Sequence, residues 1–289
     1  MKDKIIINFT PTGLIPKKNQ TKFVPVYNHE IVDDVKRAYE AGISMVHLHI
    51  RDEVTQQSCY KKEKYAQIIG GIREFAPDLI ICVSTSGRIY SDYNKRADVL
   101  QLEGVLKPDM ASLTLSSLNF NNQVSVNEPE LITKLAQEML ERGIKPELEA
   151  FDIGMINYAK YLIKKGILIP PFYFNLIFGN IACAQADLLH IGLMINDLPD
   201  QSIFSLGGVG DFQRCVNSIA ISIGCGVRVG LEDNIWYDSE RTRLATNIEL
   251  IQRVKEFAKV NEKEIMTSTE LRAVLGLKKG FGEYGVNNE

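Results

Sequence analysis

The sequence lacks the marks of several broad classes. Its five cysteines, Cys59, Cys82, Cys183, Cys215 and Cys225, are odd in number and scattered. With no pair at metal-ligand spacing and no short disulfide framework, they read as reduced, mostly structural thiols. Cys82 and Cys225 sit in apolar stretches, where a cysteine is more often a small hydrophobe than a nucleophile. No apolar run reaches the roughly 18 residues a membrane helix needs. The opening MKDKIIINFT has too short an apolar run for a signal peptide and leads straight into a strand, so a cytoplasmic protein without a membrane partner is expected. There is no basic stripe either. The 33 basic and 36 acidic residues give a net charge of −3, with no like-charge run able to track a phosphate backbone, which argues against nucleic acid. No Pro/Ser-rich linker, charge block or low-complexity run divides the 289 residues, so one domain with a sizeable core is the expectation.

What is present is alternation. Short apolar runs at 5–9, 45–50, 79–84, 110–115, 147–151, 172–177, 203–206 and 227–231 are separated by longer amphipathic segments, the pattern of repeated strand-helix units around a parallel sheet. Eight such units close a (β/α)8 TIM barrel of the α/β class, and barrels of this length are common as single domains. Helices are predicted over 28–41 and 128–142, ending at Gly42 and Gly143, near 182–195 and over 241–260. A short helix over Ser268–Leu275 takes Ser268 as its N-cap, and a frayed tail follows from about residue 277. A doubly wound sheet would also alternate strands and helices, but the turn after the first strand, FTPTGLIPKKNQ, is not the glycine loop such a sheet uses for phosphate.

In a parallel barrel the chemistry gathers where strands end, at the open mouth built by the βα loops. The second strand reads MVHLHIRD, and period-two alternation turns His47 and His49 to the same, inward face. Two imidazoles so placed can offer nitrogens to one metal at about 2.0 to 2.1 Å, although a single histidine is as often a satisfied structural residue. The eighth strand, GVRVGLEDN, has Arg228 and Glu232 on one face and Asp233 at the following turn. Strands two and eight both flank strand one, so Glu232 can join the histidines as a third ligand with one position open; an acidic turn beside Asn is the plain alternative. An inward Arg228 needs partners, and Asp233, Glu149 or a substrate carboxylate would supply them. The fifth strand, KPELEAFD, carries Glu147 and Glu149 inward, with Glu149 nearer the mouth. Ser84, Thr85, Ser112 and Thr114 bring hydroxyls to the same end, as ordinary strand-end residues also do. Gly207, Gly208 and Gly210 after strand seven suit a phosphate position or a tight turn.

HLHIRD, ASLTLSSLNF, PELEAFD and VRVGLEDN, in that order and continuing to LRAVLGL near the end, resemble the β-keto acid cleavage enzyme family, whose type member acts on 3-keto-5-aminohexanoate in lysine fermentation. The resemblance implies a homotetrameric barrel that binds zinc through His47, His49 and Glu232 and uses acetyl-CoA as co-substrate. It implies that Asp233 is the proton-abstracting base with Arg228 as its electrostatic partner, and that Ser84, Ser112 or Thr114, and Glu149 orient a β-keto acid. The enolate would attack acetyl-CoA, and a retro-Claisen step would release acetoacetate and a new acyl-CoA. The chemistry agrees with the residues, since removing a proton α to a ketone needs a stabilised enolate and a nearby carboxylate. Two positions depart from the family. Asp211 stands where relatives commonly have Arg, removing a positive charge from a candidate CoA phosphate site. EVTQQS follows HLHIRD in place of an Asp/Gly-rich turn.

The sequence also admits three other readings. An amidohydrolase also opens with two histidines one residue apart but needs further histidines at later strand ends, whereas His29 and His190 fall in predicted helices. A metal-dependent aldolase would need no CoA. A non-catalytic binding barrel would tolerate loss of one of the five charged or metal-ligating residues, and all five are present.

Overall fold

The computed structural model describes residues 4–277. Eight parallel strands close a barrel: β1 (Ile7–Phe9), β2 (Met45–Leu48), β3 (Ile80–Val83), β4 (Met110–Thr114), β5 (Lys145–Ala150), β6 (Phe172–Phe178), β7 (Ser202–Gly208) and β8 (Gly226–Val229). They follow one another around the ring in chain order, and β1 lies between β8 and β2. The connecting helices include α1 (Asn28–Glu40), α2 (Lys62–Phe75), α3 (Tyr93–Ala97), α4 (Pro129–Glu141), α5 (Ile153–Lys164), α6 (Leu188–Asn196), α7 (Phe212–Ile223) and α8 (Asn247–Val260), with α9 (Ser268–Leu275) last. The eight-strand barrel read from the apolar runs is the fold of the chain.

The strands read as continuous apolar runs because both faces are covered. All of β6, FYFNLIF, is buried, as a strand between a helical layer and a filled interior must be. The helices bury one stripe each, for instance Ile31, Val35 and Ala38 on α1 and Leu250, Ile251, Val254 and Ala258 on α8, which is the 3.6-residue period at work.

The interior changes character along the barrel axis. Met45, Ile80, Met110 and Tyr173 form an apolar cluster with Leu271 and Leu275 of α9, so α9 seals the end at which the strands begin. Ser268 Oγ donates to the Ser44 carbonyl at 2.9 Å, and Ser44 Oγ donates to that of Met266 at 2.6 Å. Arg272 pairs with buried Asp109 at 2.9 Å. Two residues further along the same strands stand His47, Cys82, Ser112 and Asn175, all buried. Dry apolar packing thus supports a polar upper half, which opens at the mouth.

Several boundaries differ from those read in the sequence. The run 5–9 is divided: Lys4–Ile5 pairs with Glu264–Ile265 outside the barrel, and Ile7–Phe9 alone enters it. The last long helix begins at Asn247 rather than at 241, because Trp236 and Leu244 bridge in a loop and Thr246 with Glu249 forms a capping box. The helix predicted near 182–195 starts at Leu188, capped by Asp187. Thr267, not Ser268, is the N-cap of α9, since the Ser268 hydroxyl is committed to Ser44. The expected frayed tail, residues 278–289, lies outside the described residues. Among those described, no helix is long and apolar enough to cross a membrane.

Candidate active site

The polar upper half of the barrel is organised around two pairs of side chains. His47 and His49, two apart on and just after β2, turn inward together, and their Nε2 atoms stand 3.3 Å apart. Nδ1 of His47 is 2.5 Å from Glu147 Oε2. The other oxygen of Glu147 accepts from the amides of Asn8 and Asn175, at 2.7 Å each. Glu147 is therefore fixed on both sides, and it fixes the His47 ring so that Nε2 faces the mouth, the arrangement by which a carboxylate orients a metal-ligating imidazole. The sequence placed Glu147 on the inward face but gave it no task. The signals for Asn8 and Asn175 were single amides inside otherwise apolar strands, IINF and FYFNLIF, where a buried polar group demands partners.

At the end of β8 the chain makes the tight turn that carries Glu232 and Asp233. Gly230 permits it: a Cβ there would lie 2.0 Å from the Thr10 carbonyl oxygen, so only glycine lets β8 press against β1. Glu232 N–H then donates to that carbonyl at 3.2 Å. Glu232 Oε1 comes 3.2 Å from His49 Nε2. Arg228, buried, donates through Nε to Asp233 Oδ2 at 2.9 Å and through Nη2 to Glu232 Oε1 at 2.7 Å, with Glu149 Oε1 at 3.8 Å from Nη1. The partners expected for an inward Arg228 are thus present.

These contacts set the protonation states. Burial pushes the Asp233 carboxyl up, and Glu232 adds to this, so that it reaches about 6 despite Arg228. Burial would raise Glu232 as well, but His49 and Arg228 outweigh it and hold that carboxylate well below its ordinary range. Burial lowers His49. His47 is pulled down by burial, yet Glu147 and Glu232 carry it up to about 9. Asp233 is thereby poised to exchange a proton near neutrality.

Donor atoms of His47, His49 and Glu232 all lie within 4.8 Å of one another. Glu232 Oε2 is buried and without a hydrogen-bond partner, and the carboxyls of Glu147, Glu149, Glu232 and Asp233 outnumber the cationic partners Arg228 and His47. Buried surplus negative charge, an orphaned carboxylate oxygen and two imidazoles together fit a divalent cation. A second set, His47, Cys82 and Glu147, is equally compact but fits poorly. Both oxygens of Glu147 are already engaged, and burial raises the Cys82 thiol, which remains protonated.

A cavity of about 550 Å³ opens over this cluster, lined among others by His49, Ser84, Thr114, Glu149, Arg228 and Asp233, a size suited to a small-molecule site. Thr114 Oγ1 donates to Glu149 Oε2 at 2.7 Å, joining two of the expected residues. Thr85 and Ser112 are turned elsewhere: Thr85 Oγ1 donates to the Ser112 carbonyl at 2.5 Å, and Ser112 Oγ accepts from the Thr85 N–H at 3.2 Å. They tie the end of β3 to β4 and do not line this cavity. Asp211 is paired at the rim with Arg241, 2.9 Å away, so a guanidinium returns to the place where the sequence had lost a positive charge. His29 stacks on Tyr27 and His190 accepts from the Gln185 N–H; neither reaches the cavity, which leaves an amidohydrolase without its later ligands.

Residues 4–277 match the family described as beta-keto acid cleavage enzyme. The chain is 35% identical over 281 residues to a 3-keto-5-aminohexanoate cleavage enzyme of Fusobacterium nucleatum subsp. nucleatum, covering 96% of this chain and 100% of the relative. It is 33% identical over 282 residues to a 3-oxoadipate:acetyl-CoA acetyltransferase of Cupriavidus necator, covering 96% of each. Among solved structures, apo ObcA superposes with a TM-score of 0.74 at 20% identity, covering 88% of this chain and 65% of ObcA. The chain thus spans less than two thirds of ObcA, and that likeness is one of fold.

Proposed function

The chain belongs to the β-keto acid cleavage enzyme family, and on that footing we propose that it cleaves a β-keto acid by carbon exchange with acetyl-CoA, yielding acetoacetate and a new acyl-CoA. The observation that carries the reading is the placement of Asp233: a buried carboxyl gripped by Arg228 at 2.9 Å, beside a three-donor metal set. The names of the relatives support it, one a cleavage enzyme for a β-keto acid and the other an acetyl-CoA acetyltransferase.

His47, His49 and Glu232 would hold the cation, and two histidines with a glutamate make a set that zinc adopts in catalytic sites. When bound, a divalent cation supplies Lewis-acid polarisation of the ketone. The protein's own groups do the rest. Asp233 takes the proton from C2 of the β-keto acid. Oδ2 is committed to Arg228 Nε, whereas Oδ1 meets Arg228 only at 3.4 Å, so Oδ1 is the freer acceptor. As Asp233 is neutralised, Arg228 loses a counter-charge and becomes a stronger partner for negative charge developing on substrate oxygens. The C2 carbanion attacks the acetyl carbonyl and expels CoA thiolate. The thiolate then attacks the original ketone carbon, the C2–C3 bond breaks, and the released acetoacetate recovers its proton. Ser84, Thr114 and Glu149 orient the acid at the cavity wall, while Thr85 and Ser112 brace the strand ends behind them. The direct test is acetoacetate formation from purified protein, zinc, acetyl-CoA and a β-keto acid. Formation without acetyl-CoA, or none with any β-keto acid, would reject the exchange.

Glu147→Gln is expected to weaken divalent-cation affinity about 10- to 100-fold, because the amide no longer holds Nδ1–H of His47 with a charge. Competition against a chromogenic chelator reads this, and an unchanged affinity would count against His47 as a ligand. We also propose the tetramer that the family resemblance implies; the exposed apolar side chains around α6, Ile181, Leu188, Leu189 and Leu193 at 69%, 75%, 77% and 47%, offer a face that a subunit contact would cover. Leu189→Asp should reduce the mass found by sedimentation; a monomeric wild type would dismiss the tetramer outright.

A further inference from the structure

Among the described residues, every arginine and carboxylate lining the mouth has an ion-pair partner except Arg88, although Arg228 Nη1 and Glu232 Oε2 lack a hydrogen bond. Glu232 and Asp233 are paired with Arg228, Glu149 with Thr114 and Arg228, and Asp211 with Arg241. Arg88, which lines the same cavity, makes no ion pair with any described residue, and its Nε is buried without a hydrogen-bond partner. Burial lowers its pKa, with only longer-range help from Glu232 and Asp233.

The position of Arg88 is built, not incidental. Its guanidinium lies over the Phe120 ring, 3.5 Å from the centroid, which holds its plane by cation-π stacking and leaves the nitrogen edges free. The turn beneath is locked. Arg88 N–H donates to Ser86 Oγ and Ser86 N–H to Ser84 Oγ, each at 3.2 Å. Buried Arg96 clamps the Thr85 carbonyl at 2.7 Å and Asn127 Oδ1 at 2.8 Å. At Gly87 a Cβ would come within 2.4 Å of the Val126 carbonyl oxygen. Gln123, on the turn of the short hairpin that pairs Leu118–Asn119 with Val124–Ser125 after β4 and also carries Phe120, adds a buried Nε2 donor with no partner to the same wall. The unused donors of Arg88 and Gln123 therefore join Arg228 Nη1, which has Glu149 Oε1 at 3.8 Å, in a cavity whose neighbouring surfaces, Leu14, Ile15, Leu118 and Trp236, are apolar.

An unpaired guanidinium held in place and partly dehydrated is unfavourable unless an anion meets it. We propose that Arg88 is a specificity-determining residue that selects β-keto acids bearing a second carboxylate at the far end of the carbon chain. This rests on the cleavage reading and adds the substrate class. A cationic tail would face like charge; a neutral tail would leave the Arg88 and Gln123 donors without partners. Phosphate oxygens of CoA could meet the same donors, and the test separates the two sources.

Three six-carbon probes differ only in the tail: 3-oxoadipate, 3-oxohexanoate and 3-oxo-5-aminohexanoate. Wild type should favour 3-oxoadipate in kcat/KM over both others. In Arg88→Met the ratio of 3-oxoadipate to 3-oxohexanoate should fall about 10- to 100-fold, the size of a charge-assisted contact, and Arg88→Lys should recover part of it. An unchanged ratio overturns the inference; with a higher KM for acetyl-CoA, it assigns Arg88 to a CoA phosphate instead. Binding of the unreactive 3-hydroxyadipate and 3-hydroxyhexanoate, measured by calorimetry, reads the selection without the reaction. If the wild type prefers the hydroxy diacid and Arg88→Met does not, the inference stands even where no acetoacetate forms and the cleavage reading fails. Equal binding of the two overturns it even where cleavage is observed.

Discussion

Asp233→Asn should reduce kcat for acetoacetate formation roughly 100- to 10,000-fold, the usual share of a general base, while leaving metal content and fold in place. The amide oxygen can still accept from Arg228 Nε, now 2.9 Å from Asp233 Oδ2, so the site keeps its shape and loses only the ability to take a proton. The pH profile carries the same statement with a definite sign. Asp233 works as a base only when ionised, so kcat/KM should rise with pH along an acid limb. That limb should lie no higher than about 6, because a cation held by His47, His49 and Glu232 adds positive charge that draws it downward. Stability should move the opposite way. A carboxyl raised from 3.8 to about 6 on folding binds its proton more tightly in the folded state, so its contribution is present below 3.8 and lost as the pH climbs through 6. Asparagine never ionises. Metal-free Asp233→Asn should therefore melt at pH 8 no lower than wild type despite its loss of activity. A large fall in Tm would mean that Asp233 is a structural partner of Arg228 rather than the base.

The fold was legible because barrel strands are buried on both faces and so stand out as apolar runs between amphipathic helices. The runs over 172–177 and 203–206 fall within β6 and β7. Boundaries were less legible where a side chain decides them through a distant partner, as when Ser268 gives its hydroxyl to Ser44 and leaves the cap to Thr267. In the site, period-two alternation put His47 beside His49, and the position of strand one between strands two and eight brought Glu232 to them. It could not tell that Thr85 and Ser112 would bond each other, since both are strand-end hydroxyls in sequence and only the register of β3 against β4 turns them away from the mouth. Nor could it find Arg88. A lone arginine in a loop looks like surface until Phe120, from the hairpin after β4, is seen beneath it.

Arg228→Met should be the most damaging single change, and its dependence on pH and metal should reveal why. The side chain bonds Glu232 and Asp233 and lies within 3.8 Å of Glu149. Methionine fills much of the volume but abandons these carboxylates in a buried site. Removing one partner from such a cluster commonly destabilises by about 3–5 kcal/mol, because the remaining charges are uncompensated. Without the guanidinium the carboxyls would have raised pKa values in the folded state, so the deficit should be largest at pH 8 and should shrink as the pH falls and they take up protons. Arg228→Lys should recover only part of the loss, since an ammonium cannot span Asp233 through one nitrogen and Glu232 through another. The same surplus of negative charge makes the variant a sensor for the metal site. A cation at His47, His49 and Glu232 would restore some of the missing positive charge, so zinc should raise the Tm of Arg228→Met by more than it raises that of wild type. Equal shifts would separate the metal from the Arg228 cluster and remove the electrostatic link on which the proposed proton transfer depends.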